Sequence, residues 1–109
     1  MQFSEYQAKA LMTLCKYDSK KDQIINGGLG LAGESGEVCE LLKKHFLIGN
    51  ELDNDMLMKE LGDVMWYIAE ICDAFGFTLE DVAEKNLAKL AARHGTKFSG
   101  VGDRSGEGA

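Results

Sequence analysis

The stretch Gly28-Leu-Gly30-Leu-Ala-Gly33-Glu34-Ser-Gly36-Glu37-Val-Cys39-Glu40 decides the fold. It admits two readings. Gly28, Gly30 and Gly33 fit G-x-G-x-x-G, a pattern whose glycines let backbone approach a pyrophosphate. Glu34 and Glu37 are instead two carboxylates at helical spacing, on one side of a helix. The first reading needs a strand before the glycines and a second strand carrying an acid about 20 residues later. Only Gln23-Ile24-Ile25 precedes them, and helical patterning follows for most of the chain. The acids are therefore the informative feature. The glycines still need a reason, since each costs about 1 kcal/mol relative to alanine inside a helix. Gly30, Gly33 and Gly36 recur every three residues. Lacking side chains, they let a neighbouring helix, or a ligand, come close to the backbone. Close helix packing is the expectation.

Working outward, the chain has 109 residues, enough for one small domain. It contains no proline, and 45% of it is hydrophobic. Both facts favour an all-α fold, an antiparallel helical bundle of about four helices. So short a helical chain has few layers, and homo-oligomerisation to complete the core is expected. The net charge is −6, which argues against a nucleic-acid polymer as partner through a basic face. A divalent cation can still bridge acidic protein to acidic phosphate. Cys15, Cys39 and Cys72 form no C-x-x-C and fall in apolar helical patterns. They read as reduced core cysteines and suit a cytoplasmic protein. No stretch approaches the ~20 apolar residues of a membrane span, so no membrane is expected as partner.

Four helices can be placed. The first opens on Ser4-Glu-Tyr-Gln7, a capping box, and runs to about Tyr17. Asp18-Ser-Lys-Lys-Asp22 breaks it. The second runs from Gln23 or Leu29 to Leu47, with Gly49 suited to a left-handed exit. Asp53 or Asn54 caps a third over Asp55 to Phe75, which Gly76 ends. Thr78-Leu-Glu-Asp81 opens the fourth, to about Arg93. The helical domain thus covers residues 1–94, and the Gly-rich stretch 95–109 reads as a flexible tail.

The position of the acids carries the functional argument. In the second helix Leu31, Val38, Leu41, Leu42 and His45 form one face, with Glu34 inside it and Glu37 at its border. In the third, Leu57, Val64, Ile71 and Phe75 form the line, with Tyr67 beside it. Glu60 falls inside that line and Asp63 borders it. Each helix therefore offers an acid pair at i, i+3, and a hairpin turn near residues 48–54 brings the pairs together. Glu40 and Glu70 lie further from the lines and read as surface acids. Four gathered carboxylates repel, and desolvation raises their pKa values. They need basic partners or cations. Lys43, Lys44 and Lys59 point mainly elsewhere, and an oxygen-only set suits Mg²⁺ or Mn²⁺.

In the fourth helix Asn86 falls within the stripe Leu79, Val82, Ala83, Leu87, Leu90. It either fixes helix register or binds a ligand. Lys89 and Arg93 follow at one-turn intervals, as phosphate contacts or as solvated cations. Trp66 and Tyr67 are able to stack on a base, although Trp66 lies off the acid line and suits subunit packing.

This arrangement resembles the MazG-like family of all-α nucleoside triphosphate pyrophosphohydrolases. The resemblance rests on GLAGESGEVCELLKK, LMKELGDVMWYIAEIC, TLEDVAEKNLAKLAAR and the opening FSEYQAKAL, and covers about residues 3–94. It implies that Glu34, Glu37, Glu60 and Asp63 are metal ligands, and that Asn86 and Lys89 contact the nucleotide. It further implies Mg²⁺-dependent cleavage of an NTP or dNTP to the monophosphate and pyrophosphate, by a homodimer or homotetramer. The catalytic base falls to Glu34 or Glu37. Two other readings stand beside it. A carboxylate-bridged di-iron or di-manganese bundle uses E-x-x-H pairs, yet neither His45 nor His94 stands three residues after a site acid. A non-catalytic helical interaction module needs no metal at all.

Overall fold

The computed structural model describes residues 1–95. Among them every regular element is helical: α1 (Phe3–Leu11), α2 (Lys20–Lys43), α3 (Asn54–Phe75) and α4 (Leu79–His94). The chain divides into two compact units, Met1–Leu79 and Glu80 onward. No described helix is long and apolar enough to cross a membrane.

The first unit is built on α2 and α3. Ser19 caps α2, its hydroxyl accepting the Asp22 N–H at 3.2 Å. The polar stretch before α2 is thus its start signal as well as a break. The helix runs unbroken through its glycines, then widens into a π-helical turn over Lys44–Ile48. Gly49 closes that turn at φ 92°, a left-handed conformation that glycine takes without strain. His45 Nδ1–H donates to the Asn50 carbonyl at 2.7 Å, tying the turn to the connection that follows. Asp53 then caps α3 by accepting from Met56 N–H at 3.1 Å, and Gly76 ends it at φ 76°, as the sequence indicates. The tail read at 95–109 lies, beyond Gly95, outside the described residues.

The first helix departs from expectation at both ends. It begins at Phe3 with no side-chain cap, and stops at Leu11 rather than Tyr17. Gln7 closes no capping box. Its Nε2 donates to the Phe77 carbonyl at 3.1 Å, and its Oε1 accepts the Leu79 N–H at 2.9 Å. At the C-terminus, Thr13 Oγ1 and Trp66 Nε1 both donate to the Ala10 carbonyl, at 2.7 and 3.1 Å. These bonds take a carbonyl that a continuing helix would use. Trp66 also reaches Thr13 Oγ1 at 2.9 Å, so it fastens α1 to α3 within the chain.

α2 and α3 pack antiparallel, with residues 26, 27, 30 and 34 of one meeting 70, 71, 67 and 60 of the other. Two glycines make the crossing close. A Cβ on Gly30 would collide with the Tyr67 ring, and one on Gly27 would come 2.7 Å from Ile71 Cγ1. Close packing thus explains Gly30 and adds Gly27. Gly33 and Gly36 face open space, so it does not explain them. The hydrophobic core is small: Ala69, Cys72 and Leu79, with Tyr6, Leu11 and Ile68 packed against them. Cys72 is the core cysteine expected. Cys15 and Cys39 are exposed, because α1 ends before Cys15 and Cys39 falls outside the α2–α3 seam.

Candidate metal centre

The hairpin brings Glu34 of α2 together with Glu60 and Asp63 of α3. One carboxylate oxygen from each lies within 4.8 Å of the other two. Glu34 and Glu60 are half-buried in the seam, and Asp63 is exposed at its edge. Their placement follows from the local sequence. Asp53 and Gly49 fix where the chain turns, and Gly27 and Gly30 let α3 lie close against α2. Glu34 is one turn beyond Gly30, and Asp63 one turn before Tyr67.

Glu37, the fourth acid of the sequence reading, is exposed one turn further along α2 and lies outside this group. Its charge still reaches Glu34. Partial burial pushes the Glu34 carboxyl above its usual range, reinforced by a hydrogen bond to Glu60 and by the charges of Asp63, Glu60 and Glu37. The ion pairs of the described residues leave the cluster alone: Lys9–Glu5, Lys43–Glu40 and Lys59–Asp55 are exposed pairs within single helices. Glu40 is thereby the surface acid expected. Tyr6 of α1 senses the site from the side; burial raises its phenol, with Asp63 adding to the effect.

The remaining candidates fall elsewhere. Asn86 and Lys89 lie on α4 in the second unit, and both are exposed. Asn86 is therefore not enclosed by an apolar stripe as its spacing suggested, and neighbouring Leu87 is itself half exposed. Tyr67 lies over Gly30 with its ring edge-on to Trp66, centroids 5.1 Å apart.

The residue that sequence reasoning placed wrongly is Glu70. Read as a surface acid, it is the one fully buried charged side chain among the described residues. Tyr17 OH donates to its Oε2 at 2.6 Å, and Asn26 Nδ2 donates to Oε1 and Oε2 at 3.0 and 3.2 Å. Gln23 Nε2 donates to the Glu70 carbonyl at 3.1 Å and to Asp73 Oδ2 at 3.0 Å. A signal existed: Glu70 follows Tyr67 by three residues and Asp63 by seven, which returns it to the seam.

Among the described residues the protein is all-helical, and its antiparallel hairpin gathers a carboxylate-only cluster whose donor set is one that could hold a hard divalent cation. A model of the MazG nucleotide pyrophosphohydrolase domain matches residues 27–98, a span that contains both acid pairs, and the chain belongs to that family. It is also similar to the Gene 37 protein of Mycobacterium phage L5, 37% identical over 83 residues that cover 72% of this chain and 70% of that protein. No solved structure matches.

Proposed function

We propose that this protein hydrolyses a nucleoside or deoxynucleoside triphosphate to the monophosphate and pyrophosphate, using Mg²⁺ or Mn²⁺ held by Glu34, Glu60 and Asp63, with Glu37 as the outer ligand. The observation that carries this is the hydrogen-bonded Glu34–Glu60 pair beside Asp63, with no lysine or arginine of the described residues paired to it. A carboxylate cluster with no basic partner among the described residues has the donor set of a hard cation. When bound, such an ion neutralises phosphate oxygens and lowers the pKa of a coordinated water.

The chain's own residues supply the rest. Glu34 and Glu37 stand one turn apart, and either can accept a proton from the attacking water. Asn86 and Lys89 are the substrate-binding residues of this reading, an amide for orientation and a cation for phosphate charge. Tyr67, fixed by Gly30, forms the wall of the site one turn from Asp63.

Self-association belongs to the same proposal. Among the described residues only Ala69, Cys72, Ala74 and Leu79 are buried hydrophobics, while Leu29, Phe46, Leu47, Ile48 and Met58 are largely exposed. Apolar surface of this extent marks an association face, and a homodimer or homotetramer would cover it. Light scattering after size-exclusion chromatography checks this.

The test of the reaction is a panel of NTPs and dNTPs incubated with Mg²⁺ or with EDTA, with products resolved by anion exchange. Metal-dependent monophosphate plus pyrophosphate is expected. Diphosphate plus phosphate would move attack to the terminal phosphorus and overturn the reading.

A further inference from the structure

The connection between α3 and α4 is short, Gly76-Phe77-Thr78. α3 ends on it, with Gly76 N–H donating to the Asp73 carbonyl at 3.2 Å and Phe77 N–H to the Cys72 carbonyl at 2.8 Å. Those bonds finish α3. They leave the Phe77 carbonyl and the first N–H of α4, at Leu79, to find partners elsewhere. One side chain answers both. Gln7 Nε2 donates to the Phe77 carbonyl at 3.1 Å, and its Oε1 accepts the Leu79 N–H at 2.9 Å. A primary amide offers a donor and an acceptor side by side, as a peptide group does. A carboxylate of the same length only accepts, and asparagine is shorter by one methylene group.

Gln7 stands on a firm base. Trp66 fastens α1 to α3 through the Ala10 carbonyl and the Thr13 hydroxyl. Tyr6, the neighbour of Gln7 in sequence, packs against the core of Ala69, Cys72 and Leu79. Leu79 is the one buried residue of α4 among the described residues, while Val82 and Leu87 further along the helix are exposed. The first compact unit ends at Leu79, and the second begins at Glu80. Both bonds of Gln7 therefore fall inside the first unit, on its last residues. The Leu79 side chain and the Gln7 amide together grip α4 at its first residue.

We propose that Gln7 is a positioning residue: by clamping Phe77 and Leu79 it fixes the start of α4, the helix that carries Asn86 and Lys89 to the nucleotide. The clamp acts through leverage. Asn86 and Lys89 lie about 10 and 15 Å along the helix from Leu79, so a small swing at the first turn grows into a large one at their positions. The link to the nucleotide rests on the function proposed above, whereas the clamp itself does not.

The test compares wild type with Gln7→Met, which keeps the length and helix propensity of the side chain and removes both bonds. Amide hydrogen exchange, resolved by NMR, follows α4 residue by residue. The expected result is exchange at least tenfold faster from Leu79 through Asn86, with the amides of α2 and α3 unchanged. Faster exchange at Leu79 alone overturns the proposal, because the bond is then lost while the helix stays as it was. Turnover is read with Mg²⁺ and whichever triphosphate of the NTP and dNTP panel wild type cleaves fastest. Gln7→Met should raise KM at least tenfold and leave kcat within twofold, the pattern of lost uniform binding. In a background of Asn86→Ala with Lys89→Ala, the same change should raise KM less than twofold, since the residues it positions are gone. An unchanged KM in the wild-type background, or an equal rise in both, overturns the proposal. Should Gln7→Met not fold, Gln7→Glu decides by the same readings: it keeps the acceptor and loses the donor, and wild-type exchange along α4 overturns the proposal. If wild type cleaves no triphosphate, the reading of the reaction fails, and the exchange rates still judge the clamp.

Discussion

Glu70 and Glu34 lie on the same seam of the same hairpin and are treated in opposite ways. Glu70 is fully buried and receives three hydrogen bonds from neutral donors. Glu34 is half-buried, and its close neighbours are other acids. A carboxyl group with donors is a finished structural contact. A carboxyl group among carboxyl groups is an unfinished one, and it is completed by something from solution. The difference lies in what stands opposite: Asn26 and Tyr17 at one end, Glu60 and Asp63 at the other. Burial alone would have pointed to the wrong residue as the site.

The sharpest way to break this contrast is to neutralise one acid at each end. Glu60→Gln should lower metal-dependent pyrophosphate release by at least about 100-fold, the scale seen when even outer partners of a metal site are lost. Circular dichroism should show the helices retained. Retained turnover would remove the cluster from the chemistry. Metal addition makes the same distinction without a nucleotide. At 100 times its dissociation constant, Mn²⁺ should stabilise wild type by about 2.7 kcal/mol. Thermal unfolding should show that gain absent from Glu60→Gln and present in Gln23→Ala, a change at the Glu70 end.

The glycines sharpen the comparison on the backbone side. Gly30→Ala drives a methyl group into the Tyr67 ring and should cost about 1–3 kcal/mol, the usual range for overpacking. Gly33→Ala meets open space and should instead gain up to about 1 kcal/mol of helix propensity. Urea unfolding of the two variants gives both numbers. Opposite signs from two glycines three residues apart would show that only some of the α2 glycines are used for packing.

How far the sequence reaches is visible in these same residues. The hairpin and its acids were legible because Asp53, Gly49 and Gly76 act locally and the acid pairs recur with helical spacing. The bounds of α1 were not. Its end is set by Trp66, 56 residues away from the carbonyl it binds, and Gln7 bonds to residues 70 and 72 positions distant. No window of local sequence contains those partners. Glu70 was misplaced for a related reason. Its neighbours in sequence make it one polar residue on the flank of an apolar line. Tyr17, which periodicity places in the first helix, lies beyond its end and donates to this buried carboxyl group.

The smallest effect, and the one that isolates Glu34, is in pH. Its carboxyl titrates above the ordinary 4.5, through partial burial first and then through Glu60 and the surrounding charges. In the metal-free protein above the raised value, Glu34 is ionised both folded and unfolded, and only the folded state bears the repulsion. As pH falls through that value, the folded state takes up a proton that the unfolded state does not, so stability rises. Below 4.5 both states are protonated and the contribution is complete. Glu34→Gln removes the titration. The metal-free variant should therefore melt above wild type at neutral pH, by a margin that closes as pH drops below 4.5. Saturating Mn²⁺ at neutral pH should reverse the order, because wild type then holds the ion and the variant has lost a ligand. Parallel melting curves across the acid range would show that Glu34 is as well solvated as any surface acid. The seam would then hold one kind of carboxyl group rather than two.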